Sequence, residues 1–117
     1  MKQVFYDRVG ETVWQERLPN GLEIRIVPKP GYARKYAFFA TRYGGMDMKF
    51  TREGVAYDTP AGIAHYLEHK MFENENGEDT FLRFARFGAN ANAYTSFDKT
   101  CYLFSCTDSP YDSLKVL

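Results

Sequence analysis

Thr59-Pro60-Ala61-Gly62-Ile63-Ala64-His65-Tyr66-Leu67-Glu68-His69-Lys70-Met71-Phe72 is the stretch on which the reading of this chain turns. Thr59 offers an N-cap hydroxyl and Pro60 suits a first helical position, so a helix is predicted over Ala61–Phe72. On a helix, positions i, i+3 and i+4 share one face, which gathers His65, Glu68 and His69 within one turn. Side chains four apart lie about 5–6 Å apart at Cβ, close enough for both imidazoles to turn onto one ion at about 2.0–2.1 Å. Glu68 then sits beside that ion without ligating it. A zinc ion brings the pKa of a bound water toward about 7, and a neighbouring carboxylate can take its proton, which makes Glu68 the candidate general base. The bland alternative is a helix-face cluster in which Glu68 hydrogen-bonds a histidine near a partly exposed core edge. His65 and His69 are the only histidines in the chain, and eight glutamates are present. Random placement reproduces this spacing roughly once in 900 chains, so coincidence is a poor explanation.

Outward from the helix, the polar run Glu73-Asn74-Glu75-Asn76-Gly77 breaks the pattern. Phe81, Leu82, Phe84, Ala85 and Phe87 then predict a second amphipathic helix over Asp79–Phe87, with Gly88 placed to end it. Asn92–Phe97 and Thr100–Cys106 read as strands around Asp98-Lys99, and Ser109-Pro110 again pairs a capping residue with a first-turn proline. Upstream, Val13–Leu18 and Leu22–Val27 flank Pro19-Asn20-Gly21, where Asn-Gly supplies the positive φ angles of a hairpin turn. Lys35–Tyr43 reads as a third strand stopped by Gly44-Gly45, and Met46–Asp58 as irregular loop.

The chain has 117 residues, which suits one domain with an ordinary core. Its 15 basic and 15 acidic residues cancel, and no basic stripe interleaves with aromatics, so neither nucleic acid nor an anionic membrane surface is expected as a partner. No apolar run is long enough to span a bilayer, and the N-terminus returns to charge too soon for a signal peptide, so a cytoplasmic location is expected. Cys101 and Cys106 are five apart in a strand-like run, which turns them to opposite faces of a sheet and predicts free, buried thiols.

His-x-x-Glu-His is the signature of the inverzincins, and this chain resembles that superfamily of pitrilysin, insulin-degrading enzyme and mitochondrial processing peptidase, peptidase family M16. Further residues carry the resemblance: Gly62-Ile63-Ala64 before the motif, Lys70-Met71-Phe72-Glu73 after it, and Phe87-Gly88-Ala89-Asn90-Ala91-Asn92-Ala93-Tyr94-Thr95-Ser96, continued by Asp98, Thr100 and Tyr102. It covers most of the chain, from about Leu18 to Leu117, and is nearest to a short bacterial branch. Glu73-Asn74-Glu75 stands where many members carry a glycine-threonine pair.

The resemblance implies an α+β fold, an antiparallel sheet packed against helices, in a half-clamshell of the LuxS and metallopeptidase kind. Residues 1–117 would be the N-terminal part of one peptidase domain, ending before the third metal ligand. It implies Zn²⁺ held by His65 and His69, Glu68 as the base, and Asn90, Ala91, Asn92, Ala93, Tyr94 and Thr95 as the substrate-binding edge strand. The expected function is that of a zinc metalloendopeptidase acting on peptides or unfolded polypeptides, with this segment inactive alone. The third ligand, a glutamate, would come from a later helix beyond Leu117, and the arginine and tyrosine that hold the substrate from the family's C-terminal half, in the same protein or a homologous subunit. Within the chain, Glu73 is the candidate third ligand, four residues past His69. The alternative from another class is a non-catalytic peptide-binding partner subunit of such a complex.

Overall fold

The computed structural model describes residues 1–75 and 77–117, so Asn76, within the polar break, lies outside the described residues. The chain forms two compact units, Met1–Tyr32 and Ala33–Leu117. The first is a three-stranded antiparallel sheet in the order β1-β2-β3, with β1 Lys2–Tyr6, β2 Glu11–Arg17 and β3 Glu23–Ile26. The expected hairpin turn forms where Asn-Gly places it: the Gly21 amide donates to the Leu18 carbonyl at 2.9 Å, with Gly21 at φ 89°. β1 carries no alternating apolar pattern and was not expected; it forms by pairing with β2, Val4 opposite Val13.

The second unit holds the functional stretch. β4 Lys35–Thr41, β7 Asn90–Thr95 and β8 Thr100–Cys106 form an antiparallel sheet in the order β4-β8-β7. β8, the most buried strand, is therefore central, and β7 is an edge. Directly opposed residues share a face, so Phe39, Tyr102 and Ala93 form one cross-strand row, and Ala37, Phe104 and Ala91 another. These rows face the helices α1 Ile63–Lys70, α2 Thr80–Arg86 and α3 Pro110–Val116. Phe104 meets Phe84 of α2 at 5.7 Å between ring centroids, and Tyr102 meets Phe72 at 5.9 Å. Phe84, Ala89, Phe104 and Cys106 make the buried core, with Ala37, Ala91, Val116 and Leu117 packed on it. Cys101 and Cys106 are both free and buried, on opposite faces of β8 as their odd separation requires. The α+β class follows: antiparallel sheet with helices on one face. Among the described residues no helix is long and apolar enough to cross a membrane.

Four local expectations are corrected. Met46–Asp58 is not all loop, because Lys49–Arg52 (β5) and Val55–Asp58 (β6) pair as a hairpin. Its turn residues Glu53 and Gly54 both have positive φ, 52° and 78°, and Phe50 stacks on Tyr57 at 5.2 Å. Thr59 does not cap α1. Its hydroxyl donates to the Met48 carbonyl at 2.9 Å, and the helix starts from Gly62, left-handed at φ 86°, whose carbonyl accepts the Tyr66 amide. Ser109 likewise makes no side-chain cap on α3; it is left-handed at φ 49° and its carbonyl takes the Ser113 amide. In α2 the expectation moves by one residue, since Asp79 is the cap itself, accepting the Phe81 amide at 2.8 Å.

Gly44 joins the strand system to the loop that leads into the helix. The Gly45 and Met46 amides donate to the Ser96 and Phe97 carbonyls at 2.8 and 3.0 Å, which pins this loop against the β7–β8 turn. A Cβ on Gly44 would lie 2.5 Å from the Lys99 nitrogen and 2.6 Å from the Asp98 nitrogen, both main-chain atoms that cannot swing away. On Gly45 it would meet only the Ser96 oxygen at 3.7 Å. Gly44→Ala is expected to destabilise the protein by about 1–3 kcal/mol, the range for forced overpacking, and Gly45→Ala by much less. Urea unfolding of the two variants checks this; equal midpoints would contradict it.

Candidate metal centre

α1 presents two parallel rows of side chains. Ala64 and Glu68, four apart, turn inward, and the small Ala64, 2% exposed, lets the helix lie close to the sheet. His65 and His69, the neighbouring i, i+4 row, turn to the open side with ring centroids 4.7 Å apart. Their Nε2 atoms are 3.0 Å apart.

That spacing tests whether the pair suits a metal. Two nitrogens each about 2.0–2.1 Å from one tetrahedral ion stand about 3.3 Å apart, within a few tenths of an ångström of what the helix provides. Imidazole nitrogens are also favoured donors for zinc. The donor set present therefore fits zinc, as two of the three protein ligands that a hydrolytic centre uses. Among the described residues, no group of three His, Cys, Asp or Glu side chains is placed to hold a metal ion. Glu73, the in-chain candidate for a third ligand, lines the same cleft as the histidines but pairs with Lys70. Its Oε2 accepts from Lys70 Nζ at 2.6 Å, a contact that also raises the lysine pKa.

Glu68 is the unusual member. It is 8% exposed, and an ionised carboxylate at that depth costs several kcal/mol unless it finds partners. Its Oε2 accepts a hydrogen bond from Thr95 Oγ1 at 2.9 Å and lies 3.9 Å from His65 Nε2. Tyr102 stands near enough for the two to interact: burial raises the pKa of its hydroxyl, and the charge of Glu68 adds to the shift.

The cleft holding these groups has a volume of about 840 Å³ and runs along β7. His65, Glu68 and His69 line it together with Asn92, Ala93, Tyr94 and Thr95. Ala91 packs instead on the core, and Asn90, at the start of the strand, pairs with Ser105. The Ala93 amide donates to the Asn92 side-chain oxygen at 2.8 Å. Phe72 and Phe81 stack at 4.3 Å with their planes 6° apart and form an apolar wall of the same cleft. Sequence reasoning placed Phe72 and Phe81 in separate helical segments and had no signal for their contact. It had none for the bond between Thr95 and Glu68 either, which joins residues 27 positions apart.

A helix-borne histidine pair, a buried carboxylate beside it and the edge of an antiparallel strand thus lie along one cleft of an α+β fold. The family model described as Insulinase (Peptidase family M16) matches residues 51–114. The "uncharacterized zinc protease YmfH" of Bacillus subtilis is 43% identical over 119 residues, covering 100% of this chain and 28% of its own length. The crystal structure of a "putative M16-like peptidase" from Alicyclobacillus acidocaldarius superposes with a TM-score of 0.85 at 45% identity, over 92% of this chain and 25% of that one. This chain belongs to peptidase family M16. It spans about a quarter of the length of these relatives.

Proposed function

We propose that this chain is the ligand-bearing segment of a zinc metalloendopeptidase that acts on peptides or unfolded polypeptides. The observation that carries the reading is the pair of Nε2 atoms 3.0 Å apart beside a carboxylate that is 8% exposed. His65 and His69 would hold zinc. When bound, the metal supplies a water of lowered pKa and polarises the scissile carbonyl. Glu68 takes the proton from the attacking water and delivers it to the leaving amine. The third ligand and the groups that clasp the substrate are supplied by another part of the same protein or by a homologous subunit. The names of the relatives support zinc and proteolysis, and the intact set of His65, Glu68 and His69 argues against a non-catalytic binding subunit.

β7 is the substrate strand in this reading. An edge strand offers main-chain donors and acceptors to an extended peptide, which binds with little dependence on its sequence. Most of the backbone of a folded protein is already paired, so the preferred substrates are short peptides or unfolded chains. Residues Asn90, Ala91, Asn92, Ala93, Tyr94 and Thr95 supply this edge, with Ala93 at its centre. The Ala93 amide already bonds to the side chain of Asn92, and proline is tolerated on an edge strand where no ladder donor is lost. Ala93→Pro in the full-length protein is therefore expected to keep the fold, as circular dichroism would show. It should raise KM for several unrelated peptides alike, by about tenfold, the scale of one main-chain hydrogen bond. A KM unchanged for every peptide would return β7 to the role of an ordinary sheet strand.

A further inference from the structure

Thr95 is the last residue of β7, the strand that lines the cleft, and its hydroxyl is the side-chain donor on the buried carboxylate of Glu68, at 2.9 Å. Two neighbours fix the direction of that bond. Thr95 lies directly opposite Thr100 of β8, so both hydroxyls point to the helix side of the sheet. Thr100 is 3% exposed, and its single proton goes to the Tyr43 carbonyl at 2.8 Å. The two threonine oxygens are 3.5 Å apart, a longer and weaker contact than the one to Glu68. The Thr95 proton is thus committed to the carboxylate. Because threonine is β-branched, its χ1 is stiff, and the strand backbone sets where that hydroxyl stands.

We infer that Thr95 is the positioning residue for Glu68, holding the carboxylate in one orientation beside the histidine pair and tying it to the register of the substrate strand. The inference rests on the reading of Glu68 as the base. A hydrogen bond from the hydroxyl restricts the rotation of the carboxylate and fixes where its Oε2 stands. Its loss leaves a buried charge facing a methyl group, free to turn away from the water it must deprotonate. Thr95 acts on the reaction only through Glu68, so its effect belongs in kcat, while KM, set by the strand backbone, stays in place.

The test compares full-length wild type with Thr95→Val, Thr95→Ser and Glu68→Gln, measuring kcat and KM on a fluorogenic peptide, bound zinc by elemental analysis and peptide affinity of the zinc-free proteins. Thr95→Val matches threonine in shape and lacks only the donor. It is expected to lower kcat by 10-fold or more, on the order of one hydrogen bond to a charged group, with KM and zinc content within twofold of wild type. Thr95→Ser is expected to recover most of the loss, and peptide affinity without zinc is expected to match wild type in both. A wild-type kcat in Thr95→Val, a loss that appears in KM or in zinc-free peptide affinity, or a loss that serine does not recover would overturn the inference while Glu68→Gln remained strongly slowed. Full activity in Glu68→Gln would overturn the base assignment and this inference with it. If Thr95→Val fails to fold, Thr95→Ala is read against Thr95→Ser by the same criteria.

Discussion

Glu68→Gln in the full-length protein is expected to slow peptide cleavage by about 10²–10⁴-fold, the contribution typical of a positioned general base, with zinc still bound. Glutamine keeps the size of the side chain, and its amide oxygen can still accept from Thr95 Oγ1, so the wall of the cleft survives. What disappears is the group able to take a proton. Because Glu68 lies beside the histidine pair and is read as a base rather than a ligand, metal affinity should barely move. Cleavage rates and zinc content measured on the same preparation check both halves. Zinc lost together with activity would make Glu68 a ligand, and a rate near wild type would leave it a structural residue.

His65→Ala and His69→Ala are each expected to act in the opposite way, removing zinc and activity together. The helix supplies the pair as one unit, with Nε2 atoms 3.0 Å apart, so losing either leaves a single imidazole from this segment. Removing a mere supporting partner of a metal ligand costs about 10–100-fold in affinity, and removing a ligand costs more. The fold should survive, because both rings lie on the open side of α1 while Ala64 and Glu68 make its buried face. Zinc titration monitored by competition with a chromophoric chelator reads the loss directly. Wild-type affinity in either variant would remove that histidine from the site.

What could be read in advance follows from the range of the forces involved. The His65, Glu68 and His69 grouping depends on residues within one helical turn, and the α1 backbone delivers it as the spacing requires. The hairpin at Asn20-Gly21 was equally local, although only Gly21, at φ 89°, takes the positive φ that the Asn-Gly pair was expected to supply at both residues. Caps were less legible. Thr59 and Ser109 carry hydroxyls suited to capping, yet such side chains have other partners to choose from, and Thr59 chose Met48. The β5–β6 hairpin escaped because its strands are only four residues each and Glu53, an ordinary residue, takes one of the two left-handed positions.

The rest was beyond local pattern. Nothing within Asn90–Thr95 says that it is an edge, since that follows from β8 pairing with both β4 and β7. The bond from Thr95 to Glu68 exists only once α1 has packed on that edge. The resemblance to family M16 suggested a role for the strand but gave no sign of the contact that joins it to the helix.

Anomalous X-ray scattering at the zinc edge, from crystals of the zinc-loaded full-length protein, tests the central assignment most directly. The account predicts one strong peak about 2.0–2.1 Å from Nε2 of both His65 and His69, with the Glu68 carboxylate outside bonding distance of the metal and still bonded to Thr95. A peak bound by only one of these histidines, or located away from α1, would contradict it.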